Sequence, residues 1–151
     1  MNSRKLLVSV IGGHKCDEAT GALAEKVGRI IAEEGAILVS GGLKGVMESA
    51  CRGAKKSGGL TLGLIPGTDK EDANEFVDIV ITTGMGYTRN ALVAGTADIV
   101  IALSGKYGTL SEIASALNAG KAVYGFDTWN IPGVEKLSSP EELRGVLRSK
   151  R

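Results

Sequence analysis

The chain has 151 residues, of which 43% are hydrophobic, and a formal net charge of +1. These values fit one folded domain over residues 1–151, exclude a disordered chain and argue against a surface dedicated to nucleic acid. The longest apolar runs have five or six residues, too few to span a membrane. Since the first of them lacks a signal-peptide cleavage site, we expect a cytoplasmic protein with no membrane partner.

Short apolar runs alternate along the chain with segments of helical spacing. The runs are partly β-branched, and Gly-Gly or Pro-Gly directly follows the first and the third, which is typical of buried strands. Helical spacing follows every run except the third, and over residues 87–95 it predicts only a short helix. The predicted strands cover residues 6–11, 36–39, 60–65, 77–81, 99–103 and 122–126.

This alternation indicates a parallel sheet covered on both faces. The predicted fold is α/β, a Rossmann-like three-layer open sheet that is mostly parallel, with helices on both faces. Ligands of such sheets bind beyond the carboxyl ends of the strands, which is where many of the 22 glycines cluster. The segment 127–138 is predicted to be a connection or a flap. The glycine clusters are Gly12 with Gly13, Gly41 with Gly42 and Gly45, Gly84 with Gly86, and Gly105 with Gly108.

Several common site motifs are absent from the sequence. It has neither the GxGxxG nor the GxxxxGK[ST] nucleotide fingerprint. A serine-histidine triad would need His14, the one histidine, and no GxSxG elbow is present. Cys16 and Cys51 belong to no CxxC pair, so we predict free thiols and no metal site. The simplest interpretation makes His14 a loop residue and Asp17 the cap of the first helix.

The turn Ser40-Gly-Gly-Leu-Lys-Gly45 follows the second predicted strand. A helix that begins at Gly45 would offer unpaired N–H groups and the positive end of its dipole, which suits a phosphate. The same glycines also fit a tight strand-to-helix turn without a ligand. The sequence leaves both interpretations open.

The stretch SGKYGTLSE, residues 104–112, joins the fifth strand to the next helix. Thr109 and Glu112 have the spacing of a capping box, which would explain both residues structurally. Gly105 and Gly108 precede them at the end of a strand. Glycines at this position favour a phosphate-binding site in addition to a helix start.

Arg89 and Asn90 lie in the stretch GMGYTRNA, which follows the fourth predicted strand. An arginine at such a strand end can hold a phosphate with two parallel hydrogen bonds, and the asparagine could bind a base or ribose or cap a helix. The charged run 69–72 is predicted to be a solvated loop.

The order of these motifs over residues 5–126 resembles a known superfamily. Its members include the LONELY GUY-type proteins (often labelled lysine decarboxylases), the molybdenum-cofactor carrier proteins and the Rossmann part of the DNA-processing Smf proteins. The resemblance implies Arg89 and Glu112 as a catalytic pair. It implies a ligand-binding set that comprises Gly12, Gly13, Ser40, Gly41, Gly42, Gly45, Met47, Asn90, Gly105, Lys106, Gly108 and Thr109.

The sequence departs from the LONELY GUY pattern at two places. That pattern has PGG before the GTxxE turn, where this chain has Ser104-Gly-Lys106, and a lysine after the arginine, where this chain has Asn90. The pair Arg89-Asn90 is more similar to the molybdenum-cofactor carrier group and its bacterial relatives.

Three functions follow from the resemblance. The first is a binding or carrier protein for a phosphorylated nucleotide-like or pterin ligand, such as a nucleoside monophosphate or a molybdopterin-type molecule, with no other cofactor required. The second is a nucleoside 5′-monophosphate phosphoribohydrolase that releases base and ribose 5-phosphate. The third is a DNA-handling protein, which the charge does not favour. A true lysine decarboxylase is excluded, since no local pattern indicates a pyridoxal-phosphate lysine. The resemblance also implies a homo-oligomer, a dimer or a tetramer.

Overall fold

The computed structural model describes residues 3–150. Its centre is a parallel sheet of seven strands in the order β4-β3-β2-β1-β5-β6-β7, which confirms the predicted α/β fold. The strands are β1 Leu7–Gly12, β2 Ile37–Ser40, β3 Thr61–Ile65, β4 Ile79–Thr82, β5 Ile99–Leu103, β6 Ala122–Phe126 and β7 Val134–Lys136.

Five helices cover the two faces of the sheet. Because successive strand residues point to opposite faces, the apolar strands feed two separate cores. One core contains Val27, Ala50 and Leu143 and joins the sheet to three helices, and the other contains Val93 and Ile113 and joins it to two. The first three are α1 Glu18–Glu33, α2 Val46–Lys56 and α5 Pro140–Ser149, and the other two are α3 Asn90–Thr96 and α4 Tyr107–Asn118.

Helices α1 and α2 touch at the level of their backbones. A methyl group at Gly28 would clash with the carbonyl oxygen of Ala50, and one at Gly53 would clash with that of Glu25. The two glycines therefore let the helices approach more closely than side chains would allow. As predicted, Asp17 caps α1, and its side chain accepts a hydrogen bond of 2.7 Å from Thr20 N.

The structure differs from the sequence prediction in three places. The segment 127–138 contains β7, which pairs in parallel with β6; with three residues, two of them charged, it carries no apolar signal. The segment 87–95 is a short 3₁₀ turn, Gly86–Arg89, followed by α3 instead of one helix. The charged loop after β3 contains another such turn, Lys70–Asp72, which Asp69 caps.

The order in which the chain adds strands to the sheet reverses between β1 and β5. From β1 the chain moves outward to β4, and it then returns to β5 on the other side of β1. A crevice opens beyond the carboxyl ends of the two strands that flank such a reversal, and ligands of open α/β sheets bind there. Among residues 3–150, none of the helices has the length and apolar character needed to cross a membrane.

Candidate functional site

The loops that follow β1 and β2 meet at this crevice. Val46 N, at the start of α2, donates a hydrogen bond of 3.0 Å to Gly13 O. Gly45 lies against the same carbonyl, where a side chain would clash. Gly12 ends β1 beside Leu103 of β5, and a Cβ there would come within 2.8 Å of Leu103 O. The predicted glycines of the two loops therefore form one surface, held together by backbone contacts.

Arg89 lies buried against the turn that follows β2. Only 5% of the residue is exposed, and Nη2 donates a hydrogen bond of 3.4 Å to Gly41 O. Nη1 donates to Asn90 Oδ1, whereas Nε has no acceptor among the described residues. Burial lowers the pKa of the guanidinium, but an arginine stays charged. The site therefore holds a buried cation with one N–H group that no described residue satisfies.

Gly41 and Met47 complete the wall beside Arg89. A Cβ at Gly41 would lie 2.7 Å from Arg89 Nη2 and 2.9 Å from Met47 Sδ. Only glycine gives the guanidinium this approach to the backbone. Asn90 is half-buried, and its amide oxygen accepts from Arg89, so Asn90 orients the arginine in this structure.

Glu112 lies on the second turn of α4 and is also buried, with 7% of the residue exposed. None of the described residues donates a hydrogen bond to its carboxylate. Arg89 acts on it electrostatically but forms no ion pair within 4.0 Å. Burial raises the pKa of Glu112 to about 7, although the charge of Arg89 works in the opposite direction. A carboxyl group with this pKa can exchange a proton near neutral pH.

The capping box predicted at Thr109 and Glu112 is wrong. Helix α4 begins at Tyr107, two residues before Thr109, and its N-cap is Lys106, which makes no side-chain cap bond. The chain can turn this early because Gly105 adopts a φ of 91°, and Thr109 occupies the space that a side chain at position 105 would fill. Thr109 and Glu112 thus face the interior instead of the helix end.

The start of α4 still provides the peptide donors that the sequence predicts. The first hydrogen bond of the helix runs from Leu110 N to Lys106 O, at 3.0 Å. The N–H groups of Tyr107, Gly108 and Thr109 therefore lack a partner within the helix. Gly108 and Lys106 are exposed, so this end of the helix is open to an anion.

Ser40 and His14 were also considered from the sequence. Ser40 is fully buried, and its hydroxyl accepts a hydrogen bond of 3.1 Å from Gly42 N; its role here is to shape the turn. His14 lies exposed in the loop after β1.

Cys16 is exposed and Cys51 is buried, and both are free thiols, as predicted. Burial raises the pKa of Cys51 to about 11, so it is not a reactive thiolate. Within residues 3–150, no cluster of three metal-ligating side chains exists.

The sequence did not reveal the residues of other loops that bind the turn after β2 and the turn into α4. Asn74 lies almost completely buried in the charged loop after β3 and binds the turn at Gly42 and Leu43. Thr128 and Trp129 bind the other turn, with hydrogen bonds of 2.7 Å to Ser104 O and 3.0 Å to Lys106 O. Their signal is weak because each is a single polar or aromatic residue in an irregular segment.

The chain is similar in sequence and in fold to several known proteins. The sequence profile of the SLOG cluster4 family matches residues 5–149. A protein of Archaeoglobus fulgidus that has no assigned function is 44% identical over 136 residues, which are 89% of each chain. The structure of the molybdenum cofactor binding protein from Rippkaea orientalis is 34% identical and covers 99% of each chain, with a TM-score of 0.92.

A plant enzyme is a more distant relative. The cytokinin riboside 5′-monophosphate phosphoribohydrolase LOG5 of Arabidopsis thaliana is 34% identical over 110 residues, which are 70% of this chain and 46% of the enzyme. This chain therefore matches less than half of the length of that relative. The profile match and the relatives confirm the superfamily predicted from the motifs: the chain belongs to the SLOG cluster4 family.

Proposed function

We propose that this protein binds a small phosphorylated ligand, nucleotide-like or pterin-like, at the carboxyl edge of the sheet. The observation that carries the proposal is Arg89, a buried guanidinium whose Nε has no acceptor among the described residues. A buried donor without a partner costs stability unless a ligand or water satisfies it. A phosphate oxygen suits a guanidinium better than a neutral acceptor does, because the hydrogen bond is then charge-assisted.

The start of α4 supports the same ligand class. Its free N–H groups and the positive end of the helix dipole favour an anion, and Lys106 adds an exposed positive charge beside them. The similarity to the Rippkaea orientalis protein, whose name states that it binds the molybdenum cofactor, supports a phosphorylated pterin as one such ligand. On this proposal the protein stores or delivers its ligand without converting it.

Native mass spectrometry of the purified protein tests this function. We expect the intact protein to carry a small molecule that leaves on denaturation, and calorimetry to show tighter binding of phosphorylated compounds than of their dephosphorylated forms. A protein that carries nothing and binds neither adenosine 5′-monophosphate nor a phosphorylated pterin would contradict the proposal.

A phosphoribohydrolase is the second candidate, and Glu112 is the observation that favours it. A buried carboxyl group with a pKa of about 7 can act on the ribose of a nucleoside monophosphate as its bond to the base breaks, while Arg89 orients the substrate. The test is chromatographic detection of free base from a panel of nucleoside 5′-monophosphates, with Glu112→Gln as the control. Base release that is lost in the control supports this enzyme, and release that persists removes Glu112 from the reaction.

A homo-oligomer, with two or four copies, is also part of the proposal. The edge strand β4 and the segment after it expose large apolar side chains: Ile79, Ile81, Met85 and Leu92 are each 40–46% exposed. Exposed apolar side chains along an edge strand are a typical contact between subunits. We place the protein in the cytoplasm and expect no nucleic-acid partner, because the net charge is only +1.

A further inference from the structure

The loop between β3 and β4 reaches across to the turn that follows β2. This loop looks solvated in the sequence because it is rich in charge, yet Asn74 is only 3% exposed. The buried side chain lies at the carboxyl edge, beside the turn that carries Gly41 and leads into α2. An asparagine buried to this extent needs partners for both its amide oxygen and its amide nitrogen.

Two hydrogen bonds of Asn74 hold the turn. Its backbone N–H donates to Gly42 O at 2.8 Å, and its side-chain Nδ2 donates to Leu43 O at 2.8 Å. Its Oδ1 accepts from Phe76 N at 3.0 Å, which fixes the amide in this orientation. The side-chain nitrogen of Asn74 therefore joins the loop to the turn.

With Arg89, these contacts fix three consecutive carbonyl groups of the turn. Gly41 O accepts from Arg89, and Gly42 O and Leu43 O accept from Asn74. A trans peptide points its N–H away from its own carbonyl group, so the N–H groups of Leu43 and Lys44 point away from Asn74. Neither of these two donors has a backbone acceptor among the described residues.

We propose that Asn74 is a positioning residue of the ligand site, an inference that rests on the proposed binding function. By holding the carbonyl groups of Gly42 and Leu43, Asn74 keeps the Gly41 carbonyl at the Arg89 guanidinium and keeps the turn's free N–H groups directed away from the loop. It acts on the ligand through the turn and does not touch the ligand itself.

Two variants isolate the bond to Leu43. Asn74→Ala removes both side-chain bonds. Asn74→Ser keeps an oxygen that can accept from Phe76 N but is too short to reach Leu43 O. The matched control is Asp78→Asn, which weakens the ion pair of 2.8 Å with Lys55 at the amino edge of the sheet, away from the site.

The first measurement is made without ligand, by ¹⁵N relaxation of residues 41–45. We expect order parameters near about 0.85 in the unaltered protein and a fall toward about 0.6 in both Asn74 variants, with no change in Asp78→Asn. A turn that stays rigid in Asn74→Ala overturns the proposal, whether or not a ligand has been found.

The second measurement is calorimetric affinity for adenosine 5′-monophosphate and for inorganic phosphate. Loss of one hydrogen bond that orders the turn should weaken binding about fivefold to tenfold in both Asn74 variants and leave Asp78→Asn unchanged. Unchanged affinity with a loosened turn overturns the link to the site. If the unaltered protein binds neither probe, the proposed function fails for these ligands, and the relaxation result still decides whether Asn74 fixes the turn.

Discussion

Arg89 shows how a single residue can be costly for the fold and useful for a ligand. Its guanidinium is buried, the Nη groups are bound to Gly41 and Asn90, and Nε faces no acceptor among the described residues. Glu112 lies close enough to act on it electrostatically, but its carboxylate accepts no hydrogen bond from the described residues. Both side chains are thus held in place by the fold with part of their bonding capacity unused.

Replacing Arg89 with alanine should weaken the binding of phosphorylated ligands more than that of their dephosphorylated forms. A charge-assisted hydrogen bond contributes about 1.5–3 kcal/mol, so we expect the affinity for adenosine 5′-monophosphate to fall about 10- to 150-fold, with little change for adenosine. Arg89→Lys, which keeps the charge but loses the planar fork, should recover only part of this loss. Calorimetry on the three proteins checks the prediction, and equal losses for both ligands would contradict it.

Glu112 should make stability depend on pH. Its pKa is about 7 in the folded protein against 4.5 for a freely solvated glutamate, so between these values the folded state holds a proton that the unfolded state has released. The contribution of Glu112 is therefore most favourable below about pH 4.5 and is lost as pH rises through 7, a change on the order of 3 kcal/mol.

Urea unfolding between pH 5 and pH 8 measures this dependence. Glu112→Gln is neutral throughout, so the unaltered protein should lose stability relative to the variant as pH rises. Parallel stability curves for the two proteins would show that Glu112 does not titrate in this range.

At the scale of elements, the turn into α4 depends on Gly105. It has a φ of 91° and leaves no room for a Cβ beside Thr109. Gly105→Ala should lower the free energy of unfolding by about 2 kcal/mol or more, since backbone strain and a displaced side chain add.

Gly108→Ala is the matched control, because position 108 is helical and has open space around it. An alanine there should raise stability by up to about 1 kcal/mol. Chemical denaturation of the two variants checks both values. Equal effects would mean that the turn tolerates a side chain at position 105.

The sequence predicted most elements because their signals are local. Strands β1, β2, β3, β5 and β6 are short apolar runs that glycine, proline or polar residues follow. The capping box at Thr109 failed because a Thr-x-x-Glu spacing occurs inside a helix as easily as at its start, and the position of the start depends on the backbone of Gly105. Strand β7 failed because its partner, β6, supplies the pairing that its own three residues do not encode.

The site could be predicted less completely than the fold. Arg89, Glu112 and the glycines were predicted as site residues because they follow strand ends. The contacts of Asn74 and Trp129 were not found, because both residues reach across from loops whose course is set by tertiary structure. Nothing in the sequence distinguishes Ser40, which faces inward, from a serine that faces a ligand.

At the scale of the whole molecule, the exposed apolar residues of β4 make assembly testable. Light scattering should give a mass of two or four subunits, and Ile81→Lys should shift the protein to smaller species, because a lysine on an edge strand opposes pairing. Ala22→Lys, on the exposed side of α1, is the control and should leave the mass unchanged. A monomeric mass for the unaltered protein would contradict the predicted assembly.

The backbone contact between α1 and α2 has a consequence for how the site can respond to a ligand. Because Gly28 and Gly53 bring the two helices together without side chains between them, α2 cannot slide or tilt without a clash of main-chain atoms. One wall of the crevice, formed by the start of α2 and the loop after β1, is therefore fixed. Any adjustment to ligands of different size must come from the opposite wall, where the 3₁₀ turn with Arg89 and the turn into α4 are joined to the rest by hydrogen bonds. That opposite wall carries Arg89 and Lys106.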